Sequence, residues 1–592
     1  MRTLIFCCLT GALLLTTRVW AADSDELTWL RDDRQAFAQA QAEDRYVLLY
    51  LEAVWCHWCH VMDHDTYGDA SVRALVDAHY VPLKIDQDLR PDLANRYRNY
   101  GWPATVVFAA DGSEIVKRRG FVPPERFARL LRAIVDDPSP EQLAAATADA
   151  DGPAPSALSE DVRNELQRRH RQTFDPLLGG LRSSQKSMDR EQVEYALWRA
   201  AEGDAEQLQI ATTSLDGALQ LLDPAWGGVY QYSTDGDWAH PHFEKLGRIQ
   251  GEYLRIYALA CSQLQQERYC AAARAIQRYV TDFLTSPEGA FYTAQDADLT
   301  AGEHAGDYFA LDDRGRRALG IPRVDTHVYA RENGTLIDAL AMLHEATGDA
   351  GALRAARTAA ERMLATRQLP GGGFRHDEVD AAGPYLADTL AMGQGLLALY
   401  RVTGERHWLS AASTAADFIG AQFQAPGGGF LTAVQGDAPI APLPHLDEVV
   451  WATRFLNLLA RYNGNATHQA LAGHGLAYLA RPEIALSRST DAGILLADAE
   501  IAGEPLHLTI RGPKDDPAAG VLFDAALRIP AAYKRLDWWD DAEGPLPNPD
   551  IAYPSLKRSA AFFCTATTCS VPLTRPEQLA EFLALSRESE QR

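Results

Sequence analysis

Positive charge is what this chain has least of: 56 lysines and arginines face 80 aspartates and glutamates, a formal net charge of −24 over 592 residues. A polyanion of that size is a poor partner for nucleic acid or for an anionic lipid surface, and neither is expected. Cysteine is scarce as well, with eight in the chain. Long apolar runs are missing: the stretch from Leu4 to Leu15 is shorter than the ~20 residues a membrane-spanning helix needs. Preceded by Arg2 and followed by Val19-Trp20-Ala21, that stretch reads instead as a secretory signal peptide, residues 1–21. Cys7 lacks the lipoprotein pattern of small residues directly before a lipidated cysteine. A secreted or periplasmic protein with no membrane attachment after cleavage is expected, in a compartment that permits disulfides. Cleavage would take Cys7 and Cys8 with it and leave three cysteine pairs.

What is present is an ordinary globular composition, 47% hydrophobic and 23% charged, at a length that implies several domains. Residues 22–137 alternate apolar strands with helical patterns: Tyr46 to Leu51, Val81 to Ile85, Thr105 to Phe108 and Glu114 to Val116. Residues 138–157 open on Pro138-Ser139-Pro140, carry no apolar period and read as a linker. From 158 to 480 apolar residues recur every three to four positions, as in Leu336-Leu340-Leu343 and Leu396-Leu397-Tyr400, which predicts about a dozen helices. Between them recur Gly179-Gly180-Leu181, Gly227-Gly228-Val229, Gly372-Gly373-Phe374 and Gly428-Gly429-Phe430, with a weaker copy at Gly289-Ala290-Phe291. A turn repeated after helical hairpins suggests a closed ring of helix pairs. Residues 481–592 return to an α/β pattern, with strands expected at Leu506 to Ile510 and Ala560 to Cys564.

The most informative segment is Trp55-Cys56-His57-Trp58-Cys59-His60, placed directly after the first apolar strand. A cysteine at a helix start feels the partial positive charge of unpaired amides, which favours its thiolate. Cys56 fits that position as the attacking thiol, and Cys59, one turn in, as the resolving one. His57 adds a charge that stabilises the reduced form and so makes the disulfide more oxidising. The same letters spell Cys-x-x-Cys-His, the attachment motif of c-type haem in exported proteins. Gly101-Trp102-Pro103-Ala104-Thr105 favours thiol chemistry, because thioredoxin-like folds set a cis-proline before such a strand and against the dithiol. Four close ligands on one helical turn (Cys56, His57, Cys59 and His60) do not readily surround a tetrahedral zinc. No metal and no cofactor are expected, and the catalytic set is Cys56, Cys59, His57 and Pro103.

These residues resemble the thioredoxin-domain family that includes the vertebrate spermatogenesis-associated, thioredoxin-like protein and many uncharacterised bacterial chains. The resemblance runs through Cys56 to Met62, Lys84 to Asp92, Gly101-Trp102-Pro103, Phe174-Asp175-Pro176 and Trp238-x-x-Pro241-His242-Phe243-Glu244-Lys245. It continues in Gln295-Asp296-Ala297-Asp298, Glu332-Asn333-Gly334 and Cys564-x4-Cys569. It implies a multidomain chain: an α/β thioredoxin-like domain, an all-α (α/α)6 toroid similar to sugar epimerases and six-hairpin glycosidases, and a small C-terminal α/β region. The sequence departs from the family at Glu52-Ala53-Val54-Trp55, which is nearer to ordinary thioredoxins. Where thioredoxins often keep a buried aspartate, six positions before the first cysteine, this chain has Tyr50, with Glu52 the nearest carboxylate.

A ring with glycine-rich inner turns offers a central cavity. Trp238, His242, Glu244, Asp296 and Asp298 are the candidate ligand-binding residues there, Glu244 and Asp296 as paired carboxylates and His242 as an acid–base group. Asp388 reads as a helix N-cap. Cys261 and Cys270, flanking a polar turn, are either bridged or a pair of buried thiols. Cys564 and Cys569 are either a structural disulfide or a second redox pair exchanging with Cys56 and Cys59. The expected partners are a thiol or disulfide protein and, for the ring, a carbohydrate. Two activities stand against each other: thiol–disulfide exchange at the dithiol, or carbohydrate chemistry or binding in the ring with the first domain as an accessory.

Overall fold

The computed structural model describes residues 26–141, 155–380, 382–436, 438–565 and 569–590. The expected signal peptide and residues 142–154 of the expected linker lie outside the described residues. The N-terminal region runs α1 (Asp33–Glu43), β1 (Tyr46–Glu52), α2 (His57–Val61), α3 (Ala70–His79), β2 (Tyr80–Asp86), α4 (Pro91–Tyr97), β3 (Ala104–Phe108), β4 (Glu114–Arg119) and α5 (Pro124–Asp136). Its sheet has the order β2-β1-β3-β4, with β1 parallel to β2 and antiparallel to β3. β1 is apolar without a break because both its faces are covered. Val47, Leu49 and Leu51 pack towards α1 and α4 against Phe37, Leu93 and Tyr97. Leu48 and Tyr50 pack towards α3 and α5 against Val72, Val76, Phe127 and Leu131. Each such leucine is fully buried and contributes roughly 1.5–3 kcal/mol.

The ring follows. Its helices are α6 (Glu160–Thr173), α7 (Arg190–Ala201), α8 (Ala205–Ala218), α9 (Gly247–Leu264), α10 (Glu267–Phe283), the short α11 (Gly306–Phe309) and α12 (Asp313–Leu319), α13 (Ala330–Thr347), α14 (Ala350–Thr366), α15 (Leu386–Thr403), α16 (Arg406–Gln422), α17 (Leu446–Asn463), α18 (Ala466–Leu479), the short α19 (Pro482–Ala485) and α20 (Ala492–Ala502). Helices α7, α9, α13, α15, α17 and α20 each pack on the next, and α20 returns to α7, so the inner circle is closed. An outer helix backs each one: α8, α10, α14, α16, α18 and, behind α20, α6. The two circles differ in sequence for a physical reason. Inner α15 is buried on nearly every face, whereas outer α14 buries only the stripe Ala352, Ala356, Ala359, Ala360 and Met363. The inner helices also approach closely: a Cβ on Gly334 of α13 would lie 2.4 Å from the α15 backbone at Ala391.

The glycine pairs close one turn used five times. After α6, α8, α10, α14 and α16 the chain makes the same isolated bridge, Phe174 to Leu181, Leu222 to Val229, Thr285 to Phe291, Gln368 to Phe374 and Gln424 to Phe430. Gly228, at φ +73°, shows why glycine is required: a Cβ there would meet the Tyr279 ring at 2.5 Å. On the inner side of the ring, short strands β5 (Tyr232–Ser233) and β6 (Pro241–His242) pair with each other. Strands β7 (Lys245–Leu246), β8 (Ala294–Gln295) and β9 (Val324–Asp325) form a second small sheet.

The chain closes with β10 (Leu506–Arg511), α21 (Pro517–Leu527), β11 (Lys534–Trp539), β12 (Ala560–Cys564) and α22 (Pro576–Glu590), in a sheet of order β11-β10-β12. This region sits on α13 and α15 through Ala341, Ala398 and Val402. Glu345 fastens it, 2.8 Å from Arg401 and 2.6 Å from Lys534 of β11. Cys261 is bridged to Cys270, joining α9 to α10, and Cys564 to Cys569, at the end of β12. Among the described residues no helix is long and apolar enough to cross a membrane.

Candidate active site

Strand β1 ends at Glu52, and a turn closed by Cys56 N–H to the Ala53 carbonyl delivers Cys56 to the N-cap of α2. There it has extended backbone angles, φ −92° and ψ 112°, while its carbonyl already accepts from Cys59 and His60 N–H. Cys56 and Cys59 are unbridged and buried, 4% and 0% exposed. Burial pushes the Cys59 thiol well up, and a hydrogen bond to Cys56 and the Cys56 charge push it further; an Ala53 N–H acts the other way. Cys59 is therefore held as a thiol beside Cys56. Behind them Tyr50 donates to the Cys59 carbonyl at 3.0 Å. Glu52 is bound to Lys84 at 2.8 Å, and Lys84 to Asp63 at 2.7 Å. Trp102-Pro103 is cis, and Trp102 packs against the dithiol cluster.

The ring covers this dithiol. Leu246 of β7 and Ala294 of β8 complete its apolar shell with Ala53 and Trp55. Asp298, just past β8, reaches across: its carboxylate lies 3.0 and 3.1 Å from His57 Nδ1 and 3.1 Å from His60 Nδ1. His60 Nε2 lies 3.1 Å from the Val54 carbonyl and 4.0 Å from Asp296. The hydrogen bond to Asp298 raises His57 above its ordinary pKa. Burial opposes charge on His60, but Asp298 and Asp296 outweigh it and the net direction is up. Asp298 goes the other way: burial resists, and the two histidines hold it well below the carboxylate range. Burial raises its neighbours, Asp296 to about 6 and Glu244 to about 7. His242, stacked on Tyr232 at 4.4 Å, is lowered by burial and by the charges of His57 and His304. His57, Trp58, His242, Glu244, Asp298 and His304 line a cavity of about 110 Å³.

Of the candidate residues, then, the fold brings together Cys56, Cys59, His57, His242, Glu244, Asp296 and Asp298, with Pro103 preceding β3. It does not bring Trp238, which lies in the ring core at 2% exposure with its indole N–H donated to the Leu178 carbonyl. An aromatic beside a glycine turn packs into that turn; the Trp238 ring lies against Gly180 and Gly217. Asp388 is not an N-cap: it sits inside the first turn of α15, accepting from Arg331 N–H and lying 2.8 Å from His376 Nδ1. Cys564 belongs to a separate cluster with Ala560, Phe562 and Tyr553 on the C-terminal sheet. Haem does not fit the motif, since Cys56 and Cys59 are packed among Ala53, Trp55, Leu246 and Ala294 with no open space beside their sulfurs.

A second cavity, about 350 Å³, occupies the ring centre beneath the first domain. It is lined by Trp55 and Trp102 from above and by Tyr253, Arg331, Glu332, Glu448 and Trp451 from the ring. Burial raises Glu448 to about 8, whereas Arg331 prevails over burial and holds Glu332 below its usual value. Both carboxylates keep one buried oxygen without a partner. Sequence reasoning missed this pair because its members stand more than a hundred residues apart on α13 and α17. The only signal was Glu332-Asn333-Gly334 within an apolar helix.

With this geometry in view, residues 18–136 match a family described as Thioredox_DsbH, a protein of unknown function, DUF255. Spermatogenesis-associated protein 20 from Homo sapiens is 25% identical over 307 residues, 46% of this chain and 39% of its own length. The chain thus spans about two fifths of that relative. The thiol:disulfide interchange protein DsbD from Ralstonia nicotianae is 36% identical over 102 residues, 17% of each chain. Among solved structures, cellobiose 2-epimerase from Bacillus thermoamylovorans aligns with 54% of this chain and 86% of its own, at 10% identity and a TM-score of 0.42. The chain carries a thioredoxin-like DUF255 domain joined to a ring of helix pairs.

Proposed function

We propose that the protein is an exported thiol–disulfide oxidoreductase whose dithiol, Cys56 and Cys59, works in the seam between the thioredoxin-like domain and the ring. The observation that carries this reading is the pairing of an N-cap cysteine with a fully buried thiol one turn on, hydrogen-bonded to it. In the reducing direction the Cys56 thiolate attacks a substrate disulfide and one substrate thiolate leaves. Cys59 gives up its proton and attacks the Cys56 sulfur, the second thiolate leaves, and two electrons have passed to the substrate as Cys56 and Cys59 become bridged. Glu52 is the carboxylate whose charge reaches Cys59. Asp298 holds the His57 imidazole at the mouth of the dithiol and raises it above its ordinary pKa. The DsbD similarity of the domain supports the same chemistry. Disulfide exchange by the full chain and by Cys56→Ser and Cys59→Ser tests it: equal rates in all three would sink the reading.

The ring centre supports a second reading, carbohydrate binding or acid–base chemistry in its cavity. Glu448, poised as an acid, faces the same space as an ionised Glu332, and such divergent pairs are what proton transfer to and from a sugar oxygen requires. Glu448→Gln and Glu332→Gln screened against a glycan panel check it; no binding by the parent chain ends it.

A further inference from the structure

Three carboxylates meet at the seam without a cation. Glu244, Asp296 and Asp298 are 3%, 6% and 4% exposed, and among the described residues no lysine or arginine forms an ion pair with any of them. Their nearest basic neighbours are the imidazoles of His57, His60 and His242, with the Arg323 charge also felt at Asp296. Burying several carboxylates together is costly unless a positive charge offsets them.

His60 shows where that charge belongs. Its Nε2 points at the Val54 carbonyl, which can only accept, so Nε2 carries the ring proton. Nδ1 is then the ring atom turned towards the carboxylates, 3.1 Å from Asp298 Oδ2. Donation of the far ring N–H to a backbone carbonyl is the arrangement that orients a metal-binding histidine. The ligand-capable atoms of His60, Asp296 and Asp298 lie within 4.8 Å of one another. A separate observation points the same way. Glu244 precedes β7 as Asp296 follows β8, so the antiparallel register sets them side by side, and Glu244 Oε2 is buried with no hydrogen-bond partner.

The geometry points to a divalent transition-metal site formed by His60 Nδ1, Asp296 and Asp298, bordered by Glu244, that joins the thioredoxin-like domain to the ring. One imidazole and carboxylate oxygens suit zinc or manganese rather than the all-oxygen sets of calcium and magnesium. Since His60 comes from the first domain and both aspartates from the ring, the ion ties the two together next to Cys59 and four residues from Cys56.

The test uses the full chain carrying Cys56→Ser and Cys59→Ser, stripped with a chelator and titrated with zinc alone against a chromogenic competitor. One zinc per chain is expected, with affinity falling at least tenfold in His60→Gln and in Asp298→Asn and holding in His240→Gln, whose imidazole is bound only to surface aspartates. Zinc should also raise the thermal midpoint of the serine background, and by less in Glu244→Gln, a variant that spares the three proposed ligands. Absence of zinc binding, unchanged affinity in both His60→Gln and Asp298→Asn, or tighter binding of magnesium would each overturn the site. Because the thiols are absent throughout, the result does not depend on the redox reading.

Discussion

The first and last sheets of this chain are built alike and used differently. In each, a strand is followed by a helix and a parallel strand, and a later strand pairs antiparallel on the opposite side: β2-β1-β3 at the start, β11-β10-β12 at the end. After β1 the helix begins with Cys56, which makes no side-chain cap bond. After β10 the corresponding helix begins with Asp516, which caps Ala518 N–H and is bonded by Ser559. Before β3 stands a cis-proline, and before β12 stands Ser559. The frame that sets an unbridged cysteine at a helix start in one region sets a satisfied helix cap in the other. Topology alone supplies the position, and the residue placed there decides between chemistry and stability.

The largest contrast is catalytic. Cys56→Ser should lower disulfide exchange by roughly three orders of magnitude, the scale on which removing a reacting group acts. Joint replacement of Cys564 and Cys569 by serine should leave the rate unchanged, and any shared loss would erase the distinction. Next in size is the anchoring of the last sheet. Glu345→Gln leaves Arg401 and Lys534 buried without their counter-charge and should cost about 3–5 kcal/mol in chemical denaturation.

The two regions should also respond oppositely to pH. Arg401 and Lys534 prevail over burial to hold Glu345 at about 2, below its ordinary 4.5. Its stabilisation is present above pH ~4.5 and is lost as pH falls towards 2, loosening the last sheet in acid. Glu448, bonded to Asn95 beneath the first domain at 2.5 Å, is raised from 4.5 to about 8. Its contribution is full below pH ~4.5 and is lost as pH rises through 8. Thermal scans from pH 3 to 9 on Glu345→Gln and Glu448→Gln would check this: the first should flatten the acid limb, the second the alkaline one. The smallest contrast is at the helix starts. Asp516→Ala should cost about 1 kcal/mol through its lost cap, whereas Cys56→Ser should cost little stability because no cap bond is lost.

Much of this was legible in the sequence where the determinants are local. The dithiol, the cis-proline and the strand before them lie within short segments, and the glycine turns mark the ring because each places a φ-positive glycine, Gly179, Gly227, Gly289, Gly372 or Gly428, at the same point after an outer helix. What was hidden depends on distant contacts. Asp298 lies some 240 positions from His57 and His60, and nothing in Gln295-Asp296-Ala297-Asp298 announces that its second aspartate faces the dithiol rather than the ring centre. Tyr50 read as a missing aspartate, yet its hydroxyl holds the Cys59 carbonyl. Trp238 read as a ligand platform because a sequence does not reveal which side of a turn an indole packs on.

The closure of the ring carries a consequence for synthesis. Helix α6 is the first of the ring to leave the ribosome, yet the helix it backs, α20, is made roughly three hundred residues later. At ordinary elongation rates that is a wait of roughly 15 to 60 s, during which α6 has only α7 and α8 to pack on, through His170 to Tyr195 and Gln207. A circle that cannot be completed until its final helix arrives stays open while most of its helices are already made.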